Sequence, residues 1–331
     1  MGTNLREVRR GYADLKDGLQ MYYEMLGKGE PVIFIHQSWW NNFEFEKVIP
    51  LVAKKFQVFS PDTLGFGFSP PAPWDWEFRD FCDSFIQFMD ALGIKKASFV
   101  GQHTGALIAA DLAARYPKRV DKVVFGGLAI YEEKLRKEKY MRRRMLGWNW
   151  GPYVKSIKPG DVIGYEVGIL QKKDDGTHLL EMWNEQKREN PDSKIEYVHR
   201  ATLANMLHYD KGGADALTTL LAYDLEATLP KVKAPSLLII GSRDCVKPPV
   251  FKPITYAGSL ISGLVKYKVI YGAGIMGWLD FPEEHAEAVI SFLEDPEKFE
   301  GTKGHELELA MQEYLFIVEE DLKKIPIPKE S

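Results

Sequence analysis

The residues with most chemistry to offer lie in the stretch Ser98-Phe99-Val100-Gly101-Gln102-His103-Thr104-Gly105-Ala106. An apolar run leads into Gly101 and an alanine-rich run follows Gly105, the pattern of a strand turning sharply into a helix. In a G-x-S-x-G elbow the two glycines permit a strained turn that lifts the central side chain to the top of a sheet, beside a helix N-terminus. Here that side chain is the imidazole of His103. Imidazole exchanges a proton near neutral pH without help from its surroundings. The chemistry expected is therefore proton transfer: activating water, or protonating and deprotonating a substrate. Attack by His103 itself as a covalent nucleophile is the secondary use.

Other residues have plainer roles. Thr104 is suited to cap the helix that begins beside it, and Ser38, in the loop after the third strand, has no imidazole placed to activate it. Cys245 reads as a small buried hydrophobe, and spacing puts His285 on the solvent side of its helix. The glycines of Gly65-Phe66-Gly67 and of 101–105 lack dinucleotide spacing, and no His, Cys and carboxylate cluster has metal-ligand spacing. No cofactor and no metal is expected.

The elements that must position His103 follow from alternation of apolar runs with amphipathic stretches, which builds a mostly parallel sheet covered on both faces. A hairpin is predicted over 11–14 and 19–25, then strands over 32–35, 57–60, 97–100 and 122–125, with helices over 43–54, 76–92 and 104–116 between them. Strand signals vanish over 128–223, which is charged, helical and rich in large aromatics. Strands return at 236–240 and 266–271, a helix follows over 282–293, and 306–324 reads as one more amphipathic helix, packed on the core or on a second subunit. The organisation expected is an α/β core over 1–127 and 224–295, a helical cap over 128–223 and a C-terminal extension over 296–331.

Four further segments join the elbow. They are Val32-Ile33-Phe34-Ile35-His36, Ser60-Pro61-Asp62-Thr63-Leu64-Gly65-Phe66-Gly67-Phe68-Ser69, Leu238-Ile239-Ile240-Gly241-Ser242-Arg243-Asp244 and Gly272-Ala273-Gly274-Ile275-Met276-Gly277-Trp278. In order, spacing and strand context the chain resembles the α/β-hydrolase fold superfamily, in particular its capped members: epoxide hydrolases, haloalkane dehalogenases and carbon–carbon bond hydrolases. The resemblance implies an eight-stranded, mostly parallel sheet with an inserted helical cap. It places His103 where the family has a nucleophile, Ile275 where it has the catalytic histidine, and Asp244 where it has the acid. Gln37 stands where a glycine usually follows His36, and His36 itself is implied to support the loop.

An imidazole on the elbow spans the gap that normally holds one, so a His103–Asp244 dyad is expected, with Asp244 fixing the tautomer and the other ring nitrogen left to move a proton. A second expectation is a non-catalytic small-molecule binder on the same fold. Polar contacts to a ligand are expected from His36, Gln37, Ser38 and Thr104. An aromatic or apolar pocket wall is expected from Trp39, Trp40, Phe66, Phe68, Trp148, Trp183 and Ile275, with His199, His208 and Tyr209 as polar contacts from the cap.

Composition bounds the rest. Forty-three Lys and Arg against 47 Asp and Glu give a net charge of -4 across 331 residues, and no basic run is long enough to follow a phosphate backbone, so nucleic acid is not an expected partner. Two cysteines without paired spacing argue against a disulfide framework and for a reducing, cytoplasmic setting. No stretch approaches the ~18 apolar residues of a membrane span. The partners expected are a small molecule and, through the C-terminal helix, a second copy.

Overall fold

Period-two alternation sorts the apolar residues of the strands onto two sides of a sheet. Ile33, Ile35, Phe59, Phe99, Val123, Phe125 and Leu238 belong to one packed cluster; Val32, Phe34, Val58, Val100, Val124 and Leu237 belong to another. The computed structural model describes residues 8–131, 162–164, 169–171, 173–211, 216–244 and 251–310.

The sheet comprises β1 (Arg9–Asp14), β2 (Gln20–Gly27), β3 (Pro31–Ile35), β4 (Gln57–Pro61), β5 (Ala97–Gln102), β6 (Val120–Gly126), β7 (Ser236–Gly241) and β8 (Val265–Ile270). Their spatial order is β1-β2-β4-β3-β5-β6-β7-β8. β1 pairs antiparallel with β2 and β2 with β4, while every later neighbour is parallel. The helices are α1 (Ile49–Val52), α2 (Phe78–Ala91), α3 (Thr104–Arg115), α4 (Thr177–Glu189), α5 (Ile195–Lys211), α6 (Ala216–Leu220), α7 (Ile254–Leu260), α8 (Gly277–Asp280) and α9 (Pro282–Glu294).

Helices cover both faces. Phe81, Phe85 and Phe88 of α2 and Leu107 and Ile108 of α3 pack on the first side, and Val52 of α1 with Val289 and Phe292 of α9 on the second. Each such side chain contributes about 1.5–3 kcal/mol when fully buried. On the second side Phe34, Phe45 and Trp278 meet edge to face, with centroids 5.1 Å (Phe34–Phe45) and 5.2 Å (Phe45–Trp278) apart. Trp278 also donates its indole N–H to Gln102 Oε1 at 2.7 Å, which ties this packing to the residue before His103.

Several features depart from expectation. A continuous helix over 43–54 does not form: a 3-10 turn at Asn42–Phe45 and the single turn of α1 replace it. Pro50 has no N–H for the carbonyl four residues back and stands in the first turn of α1 instead, so the helix restarts there. His285, expected at the surface, is 3 % exposed. It shares a helix face with Val289 and Phe292, four and seven residues on, and that face meets the sheet. Within 128–223, where no strand was expected, Ile130–Tyr131 pairs antiparallel with Phe251–Lys252 and Val162–Gly164 with Ile169–Gln171, in keeping with the β-branched Ile130 and Val162-Ile163.

Helices α4, α5 and α6 all fall between β6 and β7. Met182 and Val198 from α4 and α5, and Leu220 from α6, join the first cluster. Beyond α9 the chain is helical over 304–310; the rest of the extension expected over 306–324 lies outside the described residues. No helix among the described residues is long and apolar enough to cross a membrane.

Candidate active site

β5 ends at Gln102, α3 begins at Thr104, and the turn between them is His103 alone, at φ 43° and ψ −109°. A side chain other than glycine's is strained in that region by about 1–3 kcal/mol. Close packing imposes it: a Cβ on Gly105 would stand 2.0 Å from the carbonyl oxygen of Ile35. Only a residue without a side chain lets α3 approach β3 so closely. The His103 N–H donates to Gly126 O at 2.9 Å, which fixes the elbow to β6. Thr104 is the first helical residue rather than the cap; His103 holds the cap position, and no side chain caps the helix.

From the end of β7 the chain turns through Asp244, whose N–H donates to Gly241 O at 3.0 Å. Its carboxylate meets the elbow imidazole: His103 Nε2 lies 2.9 Å from Oδ1 and 3.1 Å from Oδ2. The pair is largely buried, with 14 % of the His103 side chain and 7 % of the Asp244 side chain exposed. Gly127 lies against it, at φ +56°, where a Cβ would come within 2.3 Å of His103 Cδ2 and 3.0 Å of Asp244 Oδ2.

The second ring nitrogen, expected to face the pocket, is already engaged. His103 Nδ1 lies 3.0 Å from Gln37 Oε1. Gln37 is held in turn by Glu44: its Nε2 donates to Glu44 Oε1 at 2.8 Å and its backbone N–H to Glu44 Oε2 at 2.8 Å. An ionised Asp244 only accepts, and Gln37 so oriented offers only its carbonyl oxygen, so both ring nitrogens donate and the imidazolium satisfies the arrangement. Glu44 is 1 % exposed. Burial pushes its carboxyl up to about 8, against the opposing pull of the Gln37 donors and the His103 charge.

Sequence reasoning missed Glu44, although a signal was there. It stands four residues before Val48 and eight before Val52, both fully buried, so a carboxylate occupies an apolar face.

The other site candidates are distributed as follows. His36 accepts the Thr63 N–H on Nε2 at 2.9 Å, which leaves Nδ1 to donate to Gln37 O at 2.7 Å. Its role is to brace the Gln37 loop. Ser38 is buried beside Gln37, and its Oγ has no hydrogen-bond partner among the described residues. Trp39, at φ 68°, and Trp40 are buried in the first cluster, where Trp40 stacks on Phe43 at 5.2 Å. Phe66 stacks on His208 at 4.3 Å, and His208 Nδ1 lies 2.9 Å from Gly65 O. Half-buried Trp183 and Ile275 pack against the first cluster.

Some candidates do not join the group. Phe68 is 60 % exposed and meets Tyr22 edge to face, because its N–H is held by Asp62 Oδ2 and its ring is turned outward. His199 and Leu203 share a face of α5 as spacing implied, but that face is exposed. His285 lies against Trp278, with ring centroids 4.3 Å apart, and Nδ1 donates to Phe281 O at 2.7 Å. Trp148, Cys245 and the Tyr209 side chain lie outside the described residues.

Two clefts lined by described residues, of about 450 Å³ beside Arg10, Glu46 and Arg200 and about 270 Å³ beside Tyr223 and Lys252, contain neither His103 nor Asp244. No group of three potential metal ligands occurs among the described residues.

With this geometry in place, the comparisons with known proteins agree on one architecture. The family model described as alpha/beta hydrolase fold matches residues 30–281. Bifunctional epoxide hydrolase 2 of Mus musculus is 30% identical over 126 residues, 36% of this chain and 22% of that protein. 2-Hydroxymuconate semialdehyde hydrolase of Pseudomonas sp. (strain CF600) is 38% identical over 109 residues, 31% of this chain and 38% of that protein. Haloalkane dehalogenase of Mesorhizobium japonicum is 32% identical over 117 residues, 35% of this chain and 38% of that protein. The chain thus spans less than half the length of these curated relatives. A meta-cleavage product hydrolase from Pseudomonas fluorescens IP01 superposes with a TM-score of 0.63 at 22% identity, covering 88% of this chain and 99% of that one. At that identity the likeness concerns the fold.

Proposed function

The chain belongs to the alpha/beta hydrolase fold family, and from that premise we propose that it is an enzyme acting on a small apolar or aromatic molecule, without a cofactor, through His103 and Asp244 as a general acid–base pair. The observation that carries the reading is the imidazole on a strained elbow with its Nε2 2.9 Å from Asp244 Oδ1. An unfavourable backbone held at a strand–helix turn, aiming a titratable ring at a buried carboxylate, is the kind of strain that concentrates at working sites.

In this reading Asp244 holds Nε2–H and stabilises the imidazolium, and the proton passes through Nδ1. A substrate or water oxygen takes the place of Gln37 Oε1 as the partner of Nδ1. Hydrolysis by activated water, C–C or C–X cleavage, cyclisation and isomerisation all fit such a group. None needs an acyl-enzyme, which suits a site with Ile275 where the family has its histidine. Ser38 Oγ is a polar contact for the substrate, and Trp39, Trp40 and Phe66 with Trp183 of the cap enclose it, at the carboxyl ends of the parallel strands.

One observation favours a second reading, a non-catalytic binder: both His103 nitrogens are already bonded within the protein. The names of the relatives supply a test panel of epoxides, haloalkanes and 2-hydroxymuconate semialdehyde. With a turned-over compound in hand, His103→Ala is expected to lower the rate by ~10²–10⁴-fold, the span of general acid–base catalysis. Equal rates in wild type and variant would remove His103 from the mechanism, and saturable binding without product would favour the binder.

A further inference from the structure

We propose that Glu44 is a positioning residue of this site: by holding the Gln37 carboxamide one way round or the other it decides whether His103 Nδ1 gives or receives a hydrogen bond, so that Glu44 and His103 share a single proton. This rests on the reading of His103 as the proton-transfer group.

A primary carboxamide has an accepting end and a donating end. Gln37 bridges Glu44 and His103, with 2.8 Å on one side and 3.0 Å on the other. With its NH2 toward an ionised Glu44, its oxygen faces His103 and calls for a proton on Nδ1. Turned by half a revolution, it offers NH2 to a bare Nδ1 and its oxygen to Glu44, which calls for a protonated carboxyl. Each arrangement satisfies every group, and each contains one proton.

The other two counts leave a conflict. With no proton on either group, Glu44 and Nδ1 both need the one NH2. With two protons, both need the one oxygen. A buried polar group left without its partner is costly, so the one-proton count persists over a widened pH range. The two satisfied arrangements have the same composition, hence their ratio does not depend on pH. When the proton moves, Nδ1–H breaks, Oε1–H of Glu44 forms, and the carboxamide turns; no oxidant or co-reactant enters.

The surroundings keep the exchange local. The Gln37 backbone N–H holds Glu44 Oε2 in both arrangements, which leaves Oε1 as the oxygen that gains the proton. Burial pushes the Glu44 carboxyl up to about 8, so its protonated form is accessible at neutral pH. Among the described residues the charged groups that bear most on Glu44 are His103 and Asp244. His36 is committed to Thr63 and Gln37 O, and His285, which feels Asp244, is held neutral by burial, with its imidazole lowered to about 4.

The test is nitrogen NMR on protein carrying ¹⁵N-histidine, with the His103 signals assigned by their loss in His103→Ala. In the wild type the Nδ1 resonance is expected between the protonated and bare positions and steady through pH ~6.5, where an ordinary imidazole titrates. Glu44→Gln gives Gln37 a permanent donor for its oxygen, turns the NH2 to His103, and is expected to move Nδ1 to the bare position throughout. Gln37→Met removes the bridge and is expected to restore an ordinary one-proton titration of His103. A Nδ1 resonance in Glu44→Gln that tracks the wild type would overturn the proposal. Should that variant not fold, an unchanged profile in Gln37→Met would do the same. Neither measurement uses turnover, so this outcome stands apart from the His103→Ala rate that tests the function.

Discussion

His103 is placed by the absence of side chains around it as much as by its own bonds. Gly127 leaves no space for one methyl group, since a Cβ there would meet the ring at 2.3 Å, on a backbone at φ +56°. Gly127→Ala is therefore expected to destabilise the fold by about 1–3 kcal/mol, through positive-φ strain and overpacking together. It is also expected to break the His103–Asp244 contact, and denaturant unfolding combined with the His103 nitrogen spectrum checks both. Unchanged stability and an unchanged Nε2 signal would mean that the ring does not lie against Gly127. The His103 part of the site was legible in the sequence because an elbow fixes one central position. Glu44 was not, because a carboxylate within Asn42-Phe43-Glu44-Phe45-Glu46 resembles an exposed residue until the turn buries it under β3.

At the scale of elements, α5 is fastened to the glycine loop by one residue. His208 Nδ1 lies 2.9 Å from Gly65 O, and its ring stacks on Phe66 at 4.3 Å with planes 6° apart. Arg200 adds an ion pair with Glu46 and places its guanidinium over the Phe43 ring at 4.8 Å. His208→Ala is expected to leave Gly65 O without this donor, at about 1–3 kcal/mol, and to raise amide exchange along 195–211 while β5 stays protected. Equal protection in both proteins would show that α5 is held by its apolar face alone. Sequence periodicity found α2, α3 and α9 but drew a helix through Pro50 and turned His285 outward. Both errors have one origin: a helical repeat gives the period of a face, and the neighbouring element decides which face is covered.

For the molecule as a whole, two buried groups make stability depend on pH, with opposite signs. Burial lowers the His285 imidazole from 6.5 to about 4. The unfolded chain takes up that proton first on acidification, so it binds more protons than the folded state between these values. The stability His285 confers is complete above its unfolded value and is lost as pH falls toward its folded one. Glu44 contributes with the opposite sign: raised from 4.5 to about 8, it favours the fold at low pH and loses that advantage as pH rises. Between about pH 7 and about pH 4 the two contributions oppose each other, so the expected signature is a difference: the urea midpoint of His285→Leu should rise relative to that of the wild type as pH falls. Parallel profiles would remove His285 as a source of acid sensitivity.

The sequence by itself determined the alternating architecture, the eight-stranded, mostly parallel sheet implied by the resemblance and the elbow that carries His103, because these depend on local periodicity and on glycines needed within a few residues of one another. Beyond the expected Asp244 contact, only the tertiary structure decided which groups surround the ring. Gln37 with Glu44, Gly127, and Asp244 come from three separate segments of the chain, and their distances depend on how β3, β6 and β7 pack beside β5. Hydrogen bonds operate over about 3 Å, a scale that sequence separation does not encode.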